Sequence, residues 1–176
     1  MAPGETSGST SLVTSRVLTR ITDLEPLSDS WDALAVELGR PRSTPAWVLA
    51  WYRAVMPRDA EIRVIVVWVD AVLAAVAPLF VRRNRLGLFR YEMAGANTLV
   101  GVEPLICGRL ADVAGPALAL AFTQLRPVAD IVHLECVRGI SPLLCGVEKQ
   151  WSARRATVVS TPSSVAHIDL ADGHEG

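Results

Sequence analysis

His133 and Glu135 stand two apart in an apolar run. On a strand they would face the same side, and an imidazole beside a carboxylate is the smallest pair that performs general-base work. A histidine at a sheet surface beneath a helix gives the same pattern, and that plainer reading is the one taken. His167 and His174 lie near Asp169 and Asp172, but no cysteine or further histidine falls at ligand spacing, so no metal site is expected. Arg82, Arg83, Arg85 and Arg90 gather at what would be the end of a hairpin. Guanidinium forks there would receive an anionic substrate or a partner domain, although a solvated loop has the same composition. Asn97 and Thr98 follow Gly95 just past a strand end, where loops border the substrate cleft in α/β folds. Arg82, Arg83, Asn97 and Thr98 are therefore the substrate-contact candidates, and no catalytic residue is assigned. Trp31, Trp47 and Trp51 would line a groove or pack on a sheet, the latter two sharing a helix face. Neither a G-x-S-x-G elbow nor a Walker loop is present.

Stepwise patterning supplies the elements that would hold these residues. A short β-prone stretch at Arg16–Thr22 precedes a helix over Trp31–Leu38, with apolar residues at helical spacing and Gly39 as its stop. Thr44-Pro45 reads as a cap followed by a proline at the first helical position, opening a helix that Pro57 closes. Glu61–Val69 and Val72–Arg82 form a hairpin whose turn, Asp70-Ala71, lacks the usual glycine. Phe89–Met93 and Val102–Cys107 are further strands, and Pro116–Leu125 a third helix. Asp130–Val137 is apolar almost throughout, as the buried centre of a sheet would be. A helix from Ser141-Pro142 to Trp151 follows, then strands at Ala156–Ser160 and Val165–Leu170. This order predicts an α/β fold, a mixed sheet with helices on both faces.

Composition narrows the class. The chain has 176 residues, 51% of them apolar, enough for one domain with a sizeable core. A net charge of −1 implies no general nucleic-acid partner. Cys107, Cys136 and Cys145 are odd in number and lack C-x-x-C spacing, which suggests free thiols in a reducing cytoplasm. Residues 1–14 are Gly-, Ser- and Thr-rich without periodicity and read as a disordered tail, as do residues 171–176 at the other end. Val64–Val81 is apolar enough to raise the question of a membrane span. Asp70 near its middle, Pro78 and a β-branched first half favour a hairpin instead, so a membrane is not expected.

Three stretches resemble the N-terminal domain of the bacterial CelD-type, or BioF-like, acetyltransferases of the GNAT superfamily. They are WDALAVEL with STPAWVLAWYRA, then IRVIVVWVDAVLAAVAPLFVRR, then ADIVHLECVRGISPLL. The resemblance implies a GNAT-like acyltransferase fold over residues 15–170. In this Fem-like group two GNAT domains stand in tandem, and the C-terminal one usually binds the donor. It further implies that this chain is the N-terminal, non-donor-binding half, contributing to an acceptor cleft and inactive alone. Its partner would be a C-terminal GNAT domain, a separate chain, or a second copy in a homodimer. Acetyl-coenzyme A or another acyl-coenzyme A would be the donor if a second domain were present, and this chain itself would hold no cofactor. GNAT donor loops follow a Q/R-x-x-G-x-G/A pattern whose backbone N–H groups take the pyrophosphate at a helix start. Here Arg109 and Ala114 match, but Asp112 stands at the glycine position, adding a repelling carboxylate and a side chain. The loop is read as degenerate. A self-sufficient single-domain N-acetyltransferase with an atypical loop, and a structural or membrane-associated remnant, remain as alternatives.

Overall fold

The computed structural model describes residues 11–96, 102–134, 137, 141–152, 157 and 159. Within them the chain forms β1 (Val13–Leu18), α1 (Ile21–Leu24), α2 (Ser28–Glu37), α3 (Pro45–Ala54), β2 (Glu61–Val69), β3 (Val72–Arg83), β4 (Phe89–Met93), β5 (Leu105–Ile106), α4 (Ala111–Phe122), β6 (Ile131–His133) and α5 (Pro142–Ser152). The strands make one sheet in the order β1-β2-β3-β4-β6, and β5 pairs with β3 beyond the end of β4. All pairings are antiparallel except β4 with β6, which is parallel. The fold is thus mixed α/β, as the element order implied. Tyr91 and Glu92 point to opposite faces of β4. The Tyr91 hydroxyl donates to Pro127 O at 2.6 Å, in the loop that leaves α4. On the other face Trp51 of α3 packs on Phe80, with ring centroids 5.2 Å apart. Helices therefore cover both faces, which is why β2 and β3 are buried almost continuously instead of alternately.

The long apolar run is a hairpin. Its turn residues Asp70 and Ala71 take φ of +49° and +66° without a glycine. Asp70 is tied down by β1: its N–H donates to Leu12 O at 2.9 Å, and its Oδ1 accepts from Leu12 N at 2.8 Å. These bonds hold a left-handed conformation that aspartate tolerates better than most residues. Pro78 sits in this central strand at the gap between the β4 and β5 pairings, where its missing N–H leaves no partner unmet. Among the described residues no helix is long and apolar enough to cross a membrane.

Several boundaries differ from the sequence reading. β1 begins at Val13, inside the stretch read as tail, because Val13–Leu18 pairs with β2 from Val69 back to Val64. Ile21 onward is already helical. Thr44 does precede α3, but its hydroxyl donates back to Pro41 O at 2.9 Å and caps nothing. Gly39 behaves as read, at φ +63°, with Gly39 N donating to Val36 O and Arg40 N to Ala35 O. α4 starts at Ala111 and not at Pro116, which lies inside the helix. The Asp112 carbonyl that loses its N–H partner to Pro116 belongs to an exposed residue of the first turn. β6 was read as the buried centre of the sheet; among the described residues it ends the strand order, with Ile131 exposed. Of the strand expected at Ala156–Ser160 only Thr157 and Val159 are described, neither of them in a strand, and the strand expected at Val165–Leu170 lies outside the described residues.

Candidate functional site

A cleft of about 150 Å³ opens beside β5. Ile106 and Pro104 form one wall, Val137 another, and Ser141 and Pro142 at the start of α5 a third. The floor comes from Leu38 and Arg40, just past the end of α2. Arg40 Nε meets Glu103 Oε2 at 3.0 Å, with both side chains about a quarter exposed. A relay of hydrogen bonds fixes this pair. The buried Trp31 indole donates to Ser43 O at 2.7 Å, and the Ser43 hydroxyl donates to Glu103 O at 3.1 Å. The C-terminal end of α2 and the approach to β5 are thereby clamped to each other through the α2–α3 connection. Beside the cleft the buried Cys107 thiol donates to Glu37 Oε1 at 3.7 Å. Neither Arg40 nor Glu103 stood out in the sequence, since they are far apart in the chain and match no motif. Leu38-Gly39-Arg40 was legible only as a helix stop.

The stretch matched to a donor loop is not a loop. Arg109 lies exposed in a single 3-10 turn, Gly108–Leu110, while Asp112 and Ala114 already belong to the first turns of α4. Asp112 is exposed and Ala114 fully buried. A carboxylate in the first turn complements the helix dipole, so Asp112 has a local structural reason to be acidic.

The four arginines of the hairpin end separate. Arg82 and Arg83 are consecutive on β3 and so face opposite sides of the sheet. Arg83 stacks over the Phe89 ring at 4.5 Å. Arg85 is exposed in the β3–β4 turn, which Asn84 organises by accepting from Leu86 N and Leu88 N at 2.9 and 3.0 Å. Arg82 and Arg90 are cross-strand partners on one face, and both contact Glu92, which is fully buried. Arg82 and Arg83 therefore do not form one site. Asn97, Thr98 and Glu135 lie outside the described residues, as do His167 and His174. His133 is paired in register with Glu92 through the parallel β4–β6 ladder. Its Nδ1 accepts from Arg90 at 3.0 Å. Glu92 went unnoticed because one carboxylate in an apolar strand carries no spacing signal; arginines on either side of it were the available clue.

Of the aromatic set, Trp31 and Trp51 are buried in the core and Trp47 packs against it. None of them lines the cleft beside β5.

No family model matches the chain, and no curated protein matches it. Among solved structures the chain is similar to a ribosomal-protein-alanine N-acetyltransferase from Brucella melitensis biovar Abortus 2308, with 15% sequence identity, 89% of this chain and 99% of that chain covered, and a TM-score of 0.44. A likeness at this level fixes no residue-by-residue correspondence.

Proposed function

We propose that this chain is an acyl-coenzyme A-dependent N-acyltransferase of the GNAT type that works as a single domain at the cleft beside β5. The carrying observation is the cleft itself, which presents a guanidinium and a carboxylate together. The element order and the sequence stretches resembling GNAT proteins support the family reading. The donor carries phosphates and an amine acceptor is cationic before attack; Arg40 suits the first and Glu103 the second. In the transfer the acceptor nitrogen bonds to the acyl carbon, the C–S bond breaks and the sulfur departs with the electron pair. The proton lost by nitrogen needs an acceptor, and Glu103 is the carboxylate lining this cleft.

One observation favours a second reading, the non-donor-binding half of a tandem enzyme: the exposed Asp112 carboxylate stands at the start of α4, where a pyrophosphate would have to approach. Isothermal titration of the chain with acetyl-coenzyme A separates the two. Micromolar binding, weakened about tenfold by Arg40→Ala, is expected. Silence at millimolar donor removes the single-domain reading and leaves the half-enzyme reading in place.

A further inference from the structure

The Arg82–Arg90–Glu92–His133 group lies apart from the cleft. Arg82 is near the opposite end of β3 from Ala75, the partner of Ile106, roughly 23 Å away at about 3.3 Å per residue. Arg82 and Arg90 face each other directly across β3 and β4, an arrangement that is unfavourable for like charges unless an anion lies between them. Glu92 supplies one such anion. Its Oε2 takes Arg82 Nε at 2.9 Å and its Oε1 takes Arg90 at 3.1 Å. Because Glu92 is fully buried, the two guanidiniums are fixed at its two oxygens instead of sweeping through solvent.

Among the described residues the charge is not closed by this arrangement. Two permanent cations face one carboxylate, and His133, accepting from Arg90, adds no negative charge. Donors are left over as well. Arg82 uses only Nε on Glu92, and its terminal nitrogens make no bond among the described residues. Arg90 Nε is buried with no hydrogen-bond partner among them. Among the described residues, Asp130 accepts from Phe89 N at 2.8 Å and Glu61 pairs with Arg63 at 2.6 Å, so these two carboxylates are engaged elsewhere. The Arg82 and Arg90 side chains are each about one-third exposed, so a ligand approaches them from solvent at the atoms other than the buried Arg90 Nε. Ile131, the register partner of Arg90, extends the row with an exposed apolar side chain.

We propose that Arg82 and Arg90, oriented by the buried Glu92, form a binding site for one oxyanion group of a ligand, a carboxylate or a phosphate monoester. The terminal N–H groups of Arg82 and the remaining N–H groups of Arg90 make the contacts, and Glu92 acts as the positioning residue. The site is independent of acyl transfer at the cleft.

The test is nuclear magnetic resonance of the arginine Nε–Hε groups in the whole chain, titrated separately with inorganic phosphate and with acetate against a chloride control of equal ionic strength. Saturable shifts confined to Arg82 and Arg90 are expected. Saturation by phosphate alone assigns a phosphoryl ligand, and saturation by acetate alone a carboxylate. Arg82→Lys keeps a charge on Glu92 but lacks the fork, and weakens binding about tenfold while the chain stays folded. Shifts that do not saturate, or that chloride reproduces, overturn the proposal and reduce the group to an ion network serving Glu92 alone.

Discussion

At the scale of single residues, the least replaceable side chain is Glu92. A carboxylate with no exposed surface is tolerated only because two guanidiniums meet its two oxygens. Glu92→Gln keeps the shape and removes the counter-charge from both arginines. It is expected to cost about 3–5 kcal/mol in denaturant-unfolding free energy, the range seen when one member of a buried pair is removed. A loss below about 1 kcal/mol would show that water reaches the group freely. Arg40 and Glu103 differ from it in being partly exposed, so their pairing adds little stability and leaves them available to charged ligands.

At the scale of elements, the contact between α4 and α5 is made by two glycines. A Cβ on Gly115 would stand 2.6 Å from Pro142 Cβ and 2.9 Å from the Pro142 carbonyl carbon. A Cβ on Gly146 would stand 2.9 Å from Ala119 Cβ. The helices approach closely because neither has a side chain at the crossing, and this seats the start of α5, Ser141 and Pro142, at the cleft wall. Gly115→Ala is therefore expected to destabilise by about 1–3 kcal/mol, since backbone must shift to admit the methyl group. Gly108→Ala is the control: nothing lies within 4 Å of its added Cβ, and its φ is not in the left-handed region. It should be neutral or stabilise by up to about 1 kcal/mol through the unfolded chain. Equal effects from both substitutions, read as denaturant midpoints, would refute the close-packing account.

At the scale of the whole molecule, both tyrosines of the chain are tied into the core. Burial raises the Tyr52 phenol well above its usual value, and burial likewise raises Tyr91, with Arg63 opposing. Their hydroxyls donate to Leu79 O and Pro127 O, bonds that ionisation would abolish. The folded state thus keeps phenol protons that the unfolded chain releases. Stability from this source is complete below the usual tyrosine pKa of about 10 and falls as pH rises from there toward the raised folded values. Tyrosinate absorbance of the native chain should rise at higher pH than the usual tyrosine value of about 10; a normal native titration near pH 10 would contradict the burial of the rings. The sequence by itself determined the element order from the first strand to α5 apart from the short α1, the mixed α/β class, the hairpin reading of the apolar run and the Gly39 helix stop. Each of these depends on local periodicity, on charge cost or on backbone freedom, which neighbours in the chain already specify. Only the tertiary structure decided which charges meet. Arg40 reaches Glu103, Glu92 gathers Arg82, Arg90 and His133, and Arg82 parts from Arg83, because strand register and helix crossing bring together residues that share no spacing along the chain.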